Sequence, residues 1–287
     1  MNNYLKTDMA CEIPNIKSYS TADGIFTYTK TINNFDIIYT EIKTKNAELK
    51  TGRKIGKYAT LYVGNVWKYT KNEQNNISTS LRILLDEFLS IFKKTIKEVT
   101  IIGLGNRNIT SDSLGPIVID KLVPTRHLID TYPDILKNDT NLRLSLLSPG
   151  VIGQSGISSF EKVSVLLSEI KPDLVIIIDS LSSISKSRLC TTIQITDTGI
   201  MAGSGIRNEG KEFSKDTLGI PVISLGVPTT ISLSSLIYSF CSHQNINISE
   251  YEDFFVSPNN CNDAIEHISN IIANALQSLT ADIKKQS

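Results

Sequence analysis

The chain has 287 residues, and its 29 basic and 29 acidic side chains give a formal net charge of zero. This balance excludes the strongly basic surface of a typical nucleic-acid-binding protein, and no apolar stretch reaches the roughly 20 residues that span a bilayer. The polar start lacks a signal-peptide core. We therefore expect a soluble intracellular protein of one domain over 1–287, with neither a membrane nor a nucleic acid as direct partner.

The cysteines are far apart in the sequence and form no C-x-x-C pair. This pattern favours reduced thiols in a cytosol over a disulfide scaffold or a zinc site. We therefore expect no metal bound through cysteine, and we predict no metal site and no cofactor. The four cysteines are Cys11, Cys190, Cys241 and Cys261.

The first 70 residues have the pattern of a small β-rich flank. Their composition predicts strands at Phe26–Thr31, Phe35–Glu41 and Tyr58–Val63, and Asn33-Asn34 predicts a turn between the first two. A basic cluster in this flank is typical of a solvated surface, but it could also meet an acidic substrate. It consists of Lys43, Lys45, Lys50, Arg53, Lys54 and Lys57.

Helical and strand patterns alternate from residue 77 onward. Apolar residues recur at helical spacing from Ile77 to Ile96, and the strand Val99–Ile102 follows. This alternation predicts an α/β core over 77–287, with a mostly parallel twisted sheet flanked by helices. Further strands are predicted at Leu142–Leu147, Leu174–Ile178, Thr191–Ile195 and Pro221–Leu225, and further helices at Gly115–Leu122, Ser158–Ile170, Thr229–Ser242 and Asn262–Leu279.

Two aspartates stand where predicted strands end. After Val99–Ile102 the chain enters a glycine loop that presents Asp112, and four apolar residues from Val175 lead straight into Asp179. Open α/β sheets place their active sites in the crevice outside the carboxyl ends of the strands. Two carboxylates brought to one crevice would be the start of a hydrolytic site.

The glycine loop does not match the known phosphate loops. A dinucleotide fingerprint needs a third glycine where this chain has Asn108, and a P-loop needs Gly-Lys-Ser or Gly-Lys-Thr. A structural explanation stays open, in which Gly103 and Gly105 only allow a tight turn and Asp112 caps the next helix.

Motifs spread over nearly the whole chain resemble the spore germination protease family in their order and approximate spacing. They begin with Lys6-Thr-Asp-Met-Ala10 and end with the helix Asn262–Leu279. The motifs between them are Gly103-Leu-Gly-Asn106, Thr110-x-Asp112-x-Leu-Gly-Pro116, Ser148-Pro-Gly-Val-x-Gly153, Lys171-Pro-Asp173, Ile178-Asp179, Thr191-Thr-Ile-Gln-Ile-Thr-Asp-Thr-Gly-Ile200, Gly203-Ser-Gly205, Thr217-Leu-Gly-Ile-Pro-Val222 and Gly226-Val-Pro-Thr229.

The resemblance implies an endopeptidase that degrades small acid-soluble spore proteins during germination, in the cytoplasm of the spore core or forespore. It also implies a fold similar to that of the hydrogenase-maturation peptidases and assembly as a homotetramer. The family's two catalytic aspartates fall on Asp112 and Asp179, the positions that the strand ends also indicate.

The chemistry expected of such a pair follows from its charge. Two carboxylates in one site cannot easily both ionise, so one should hold a proton with a raised pKa. The ionised partner could take a proton from attacking water while the other polarises the scissile carbonyl; the sequence leaves open which aspartate does which. Candidates for an oxyanion or substrate site, each of which could equally serve only as a turn, are Gly103, Gly105, Asn106, Asp197, Gly203, Ser204 and Gly205.

Departures from the family pattern keep two other functions open. The family has Trp, Pro, Arg and His where this chain has Arg107, Ser111, Ile184 and Met201, which favours a paralogue that binds or acts as a scaffold in spores. A metal-dependent maturation peptidase is the third hypothesis, although carboxylates alone are poor nickel ligands. Because only six residues precede Thr7, we also expect little control by removal of a propeptide.

Overall fold

A computed structural model of the protein describes residues 7–13, 23–92, 95–131, 142–201, 211–241, 251 and 253–282. Within these residues most strands form a large sheet, and β8 and β9 pair separately. The strands are β1 (Ile25–Ile32), β2 (Phe35–Ile42), β3 (Gly56–Tyr62), β4 (Glu98–Gly103), β5 (Arg143–Leu147), β6 (Leu174–Ser182), β7 (Thr192–Thr196), β8 (Ile200–Met201), β9 (Glu212–Phe213), β10 (Val222–Ser232) and β11 (Phe255–Val256).

Helices cover both faces of the large sheet. α2, α3 and α9 pack on one face, and α6 packs on the other. This arrangement confirms the predicted α/β class. The helices are α1 (Lys45–Thr51), α2 (Lys71–Leu89), α3 (Leu114–Asp120), α4 (Arg126–Thr131), α5 (Ile152–Ser155), α6 (Ser159–Ile170), α7 (Lys215–Leu218), α8 (Leu233–Cys241) and α9 (Cys261–Asp282).

The order of strands in the sheet is β1-β2-β3-β7-β10-β6-β4-β5, with β11 attached to β10. The four strands β10, β6, β4 and β5 are mutually parallel. On the other side of β10, strands β7, β3, β2 and β1 continue the sheet antiparallel. The sheet is therefore mixed, because the β-rich N-terminal flank extends the parallel core instead of forming a sheet of its own.

Two core strands are longer than their apolar runs predict. β6 continues beyond Ile178 to Ser182, and β10 continues beyond Leu225 to Ser232 because the two strands stay paired, apart from a register shift after Pro228. The helix predicted to begin at Thr229 therefore begins at Leu233.

Helix α2 begins and ends earlier in the sequence than predicted. It begins at Lys71 instead of Ile77 because Thr70 and Glu73 form a capping box, in which the Thr70 N–H donates to Glu73 Oε2 at 2.7 Å. The first turn is polar, so apolar spacing did not reveal it. The helix ends at Leu89, before the predicted Ile96.

Candidate active site

Asp112 lies just beyond the carboxyl end of β4, at the end of a short 3₁₀ turn that starts at Thr110. The turn is tied to the sheet, because the buried Thr229 hydroxyl of β10 donates to the Ser111 carbonyl at 2.6 Å. The Asn106 N–H donates to Asp112 Oδ2 at 2.8 Å. These bonds fix the direction in which the carboxylate points.

The loop before Asp112 needs its glycines for close packing. Gly105 has a φ of +113°, and a Cβ there would lie 2.1 Å from the Asp112 carbonyl oxygen. A Cβ on Gly103 would lie 2.3 Å from the carbonyl oxygen of Gly115 in α3. Because the Asn106 N–H already donates to Asp112, this loop holds the Asp112 carboxylate in the described structure.

Asp179 lies inside β6, whereas the sequence predicted that it would follow the end of this strand. It pairs with Gly226 of β10, and its side chain is 4% exposed. Val175 and Ile177 pack on the face covered by α6, so alternation along the strand directs Asp179 to that same face. The Ser180 N–H donates to Asp179 Oδ1 at 2.8 Å.

The environments of the two carboxylates raise the pKa of each. Burial raises the pKa of Asp179 well above its usual range, and the charge of Asp112 raises it further. Burial also raises the pKa of Asp112, to about 6, against the hydrogen bond from Asn106, which lowers it. Near neutral pH this arrangement favours an ionised Asp112 beside a protonated Asp179.

A third carboxylate, Asp8, reaches this region from the N-terminal segment. The Asp8 N–H donates to the Ser182 carbonyl at 2.9 Å, and the Ser182 N–H donates to Asp8 Oδ2 at 2.7 Å. Its charge also raises the pKa of Asp179. Gln194 of β7 holds the same segment, donating to the Asp8 carbonyl at 3.1 Å and accepting from the Ala10 N–H at 2.7 Å.

Asp8 is not among the site residues that the sequence predicts. The only signal was its place in the motif Lys6-Thr-Asp-Met-Ala10, because nothing in residue spacing predicts that position 8 pairs with position 182.

The remaining predicted site residues are placed differently. Asp197 follows β7, and its Oδ1 accepts a 2.8 Å hydrogen bond from the Lys57 N–H of β3, so this carboxylate links two neighbouring strands. Burial raises the pKa of Asp197. Gly203, Ser204 and Gly205 lie outside the described residues.

Three of the four residues that depart from the family pattern form hydrogen bonds or ion pairs within the chain. Arg107 forms an ion pair with Asp120 of α3, with NH2 2.7 Å from Oδ1. The Ser111 carbonyl accepts the bond from Thr229, and the Ile184 N–H donates to Glu12 Oε2 at 2.9 Å. Met201 is half exposed and lines a pocket between β6 and the N-terminal flank.

The described residues contain neither a cluster suited to a metal ion nor a membrane-spanning helix. In that part of the chain no group of three or more His, Cys, Asp or Glu side chains is arranged to hold a metal ion, and Cys11, Cys190 and Cys261 are free thiols. No helix among the described residues is both long enough and apolar enough to cross a membrane.

Comparison with known proteins identifies the class of protein as a peptidase. The model of the family Peptidase_A25, germination protease, matches residues 6–242. The chain belongs to the germination protease family.

Individual relatives agree with this assignment. The germination protease of Clostridium perfringens strain ATCC 13124 is 32% identical over an alignment covering 95% of this chain and 94% of the relative. That of Clostridium acetobutylicum is 36% identical, covering 82% and 72%. For the Geobacillus protein, at 35% identity, the match covers 81% of this chain and 65% of the relative.

A solved structure also aligns with the chain. The crystal structure of the NiFe hydrogenase maturation protease HycI from Thermococcus kodakarensis KOD1 is 15% identical in sequence, with a TM-score of 0.37. The alignment covers 66% of this chain and 99% of that protein.

The raised pKa of Asp112 predicts a stability change. Asp112→Asn is expected to increase the free energy of unfolding at pH 7 by about 1–3 kcal/mol. The pKa of the partly buried Asp112 is raised to about 6, so its carboxyl destabilises the folded chain progressively as the pH rises from about 4 through about 6. The gain should vanish below about pH 4, where the carboxyl is protonated in both folded and unfolded chains. Urea unfolding at pH 4 and pH 7 measures this, and an equal difference at both values would contradict it.

Proposed function

We propose that this protein is an endopeptidase that cleaves small acid-soluble spore proteins during spore germination, using Asp112 and Asp179 to activate water. Membership of the germination protease family supports the peptidase activity. The observation that supports the mechanism is the pair of carboxylates with raised pKa values, the partly buried Asp112 in the loop after β4 and the buried Asp179 in β6, where the charge of Asp112 raises the pKa of Asp179. Action in the cytoplasm of the spore core or forespore, and assembly as a homotetramer, belong to the same proposal.

The proposed division of roles follows from the environment of each carboxylate. Asp112, with a pKa of about 6, is ionised near neutral pH and acts as the general base that takes a proton from the attacking water. Asp179 keeps its proton because it is the more deeply buried and lies beside a second negative charge. Its hydroxyl hydrogen bonds to the scissile carbonyl and stabilises the oxyanion as the tetrahedral intermediate forms.

Collapse of that intermediate returns the site to its starting state. Asp112 holds the proton taken from water and can donate it to the leaving amine, so that each turnover consumes one water and breaks one peptide bond. The hydrogen bonds from Asn106 to Asp112 and from Ser180 to Asp179 keep both carboxyls oriented through the cycle.

The test is incubation of the purified chain with a purified small acid-soluble spore protein, followed by intact mass spectrometry. Discrete fragments that also form in the presence of a chelator support an endopeptidase without a required metal. Tight binding of the spore protein without any fragment would instead favour the scaffold hypothesis, and fragments lost only on chelation would favour the metal-dependent one.

The pH dependence of cleavage provides a further prediction. We expect kcat/KM to rise as the pH increases through about 6, where the free enzyme's Asp112 ionises, and to fall at higher pH when Asp179 loses its proton. Initial rates at low substrate concentration between pH 4 and pH 9, taken in buffers of constant ionic strength, measure the profile. Activity that stays level across this range would contradict the assigned roles.

A further inference from the structure

Two cysteines that are far apart in the sequence lie in contact inside the structure. Cys190 comes just before β7, Cys261 is the first residue of α9, and their sulfur atoms are 3.8 Å apart. Both residues are buried, at 0% and 3% exposed, and both are free thiols. The fold therefore creates a dithiol from residues 71 positions apart, which the spacing of the cysteines did not predict.

The backbone holds Cys190 in an unusual conformation. Its φ is +57°, in the left-handed region that favours Gly and Asn. Its N–H donates to the Pro228 carbonyl of β10 at 2.7 Å, which fixes the turn against the sheet. Local backbone preference therefore gives no reason for a cysteine at this position, whereas the contact with Cys261 depends on the thiol.

The two thiols differ in how easily they ionise. The Cys190 thiol donates to the Cys261 sulfur, and this hydrogen bond lowers the pKa of Cys261 and raises that of Cys190. A hydrogen bond from Ser257 lowers the pKa of Cys261 further, against the effect of burial. The start of a long helix also favours a thiolate. Cys261 is therefore the more nucleophilic of the two thiols.

Cys261 lies directly beneath the surface. Its neighbours Asn259 and Asn262 are exposed, and Ser257 is exposed as well. A small oxidant therefore has a short path to the Cys261 sulfur, whereas Cys190 is reached only through Cys261 or by opening of the chain.

We propose that Cys190 and Cys261 form an oxidation site, at which a peroxide converts the two thiols to a disulfide that ties the start of α9 to the turn before β7. The sulfurs need to approach from 3.8 Å to about 2.0 Å, which small rotations of the two side chains provide. The reaction is independent of peptide cleavage.

The oxidation takes two steps when the peroxide is hydrogen peroxide. The Cys261 thiolate attacks one oxygen, the O–O bond breaks, hydroxide leaves, and Cys261 becomes a sulfenic acid. The Cys190 sulfur then attacks the sulfur of the sulfenic acid, the S–O bond breaks, and the Cys190 proton leaves with the hydroxyl group as water. Each sulfur loses one electron, and the peroxide gains both as it is reduced to water.

The disulfide would lie beside the contacts that hold Asp112. Ser257 Oγ donates to the Thr229 carbonyl at 2.7 Å, and the Thr229 hydroxyl donates to the Ser111 carbonyl at 2.6 Å. Helix α9 also packs against the turn that bears Asp112. Cross-linking the start of α9 therefore restricts local opening of this region. A link across 71 positions also reduces the entropy of the unfolded chain, so oxidation should stabilise the fold.

The experiment uses the full chain, with hydrogen peroxide as the probe. The native chain and the double variant Cys11→Ala/Cys241→Ala, which keeps only the proposed pair, are treated with peroxide and then unfolded in an alkylating reagent. We expect a monomer that has lost two hydrogen atoms, and in the double variant no thiol that can be alkylated. A non-reducing digest should contain the Cys190 and Cys261 peptides joined, and a thiol reductant should separate them.

Thermal unfolding measures the effect of the link on stability. Oxidation should raise the midpoint of unfolding by at least about 5 °C in the native chain and in the double variant. A disulfide that forms without raising the midpoint would overturn the stabilising role of the link.

Single variants of the pair test the order of the two steps. In Cys190→Ala the sulfenic acid of Cys261 has no second thiol to attack it, so dimedone should trap it and oxidation should not raise the midpoint. Cys261→Ala should consume peroxide more slowly than Cys190→Ala by at least about tenfold. Equal rates would overturn the assignment of Cys261 as the attacking thiol.

The double variant decides the result even if a single variant does not fold. If both of its thiols are still fully alkylated after treatment with peroxide, the proposal is wrong. A digest of the native chain in which Cys190 or Cys261 is joined to a different cysteine, or to a second copy of the chain, would overturn it equally.

Discussion

Replacing Asp179 by asparagine is expected to lower kcat/KM for a small acid-soluble spore protein by at least about 10³-fold. The amide is close in size to the carboxyl and its oxygen can still accept the hydrogen bond from Ser180, but it carries no acidic hydroxyl for the scissile carbonyl. Asp112→Asn should cost a similar factor because it removes the base. Fragment formation followed by mass spectrometry over hours is sensitive enough to measure the residual rate.

Two controls make this result specific to the pair. Asp86→Asn removes a half-exposed carboxylate on α2 that pairs with Arg82 and should leave the rate within about twofold, since surface substitutions of this kind change little. Urea unfolding should show both active-site variants at least as stable as the native chain. If either Asp112→Asn or Asp179→Asn retained more than about a tenth of the native activity, the proposed mechanism would be wrong.

Gly105→Ala is expected to cause the second largest loss, in stability and activity together. The φ of +113° is unfavourable for alanine, and the new Cβ would lie 2.1 Å from the backbone oxygen of Asp112. Because that contact is with backbone and not with a flexible side chain, the loop must shift. We expect the free energy of unfolding to fall by about 2–4 kcal/mol and kcat to fall by at least about 10²-fold, since small misplacement of a catalytic group is costly.

Gly153→Ala is the matched control for this substitution. A Cβ on Gly153 meets nothing within 4 Å, so alanine in the short helix α5 should change neither stability nor rate appreciably. Thermal unfolding and cleavage rates of the two variants can be compared directly. Equal behaviour of Gly105→Ala and Gly153→Ala would show that the close packing of the glycine loop does not position Asp112.

Sequence patterns predicted the parts of this structure that depend on neighbouring residues. The apolar runs before the two aspartates identified strands β4 and β6, and the glycines before Asp112 identified the loop that bears it. The same patterns could not show that β6 continues beyond Asp179, because that depends on Gly226 and its neighbours in β10 as pairing partners. Local periodicity contains no information on a partner strand almost 50 residues away.

The parts that sequence analysis missed depend on contacts between distant segments. The sequence does not predict the position of Asp8, because its hydrogen bond to Ser182 joins residues 174 positions apart. For Gly103 the sequence allows either a turn or an oxyanion site, and only the close approach of α3 shows why this position has no side chain. Likewise the pocket between β6 and the N-terminal flank combines Arg53 with Ser224, residues whose separation in sequence gave no reason to consider them together.

The long separation between Asp8 and Ser182 has a consequence for biosynthesis. The hydrogen bond joins residues 174 positions apart, and the bond from Thr229 that holds the Asp112 turn spans 118 positions. Contacts of such range form late, because the chain must first lose the entropy of closing large loops. A chain emerging from a ribosome therefore cannot hold the proposed catalytic pair in place until β10 has been translated and has paired with β6.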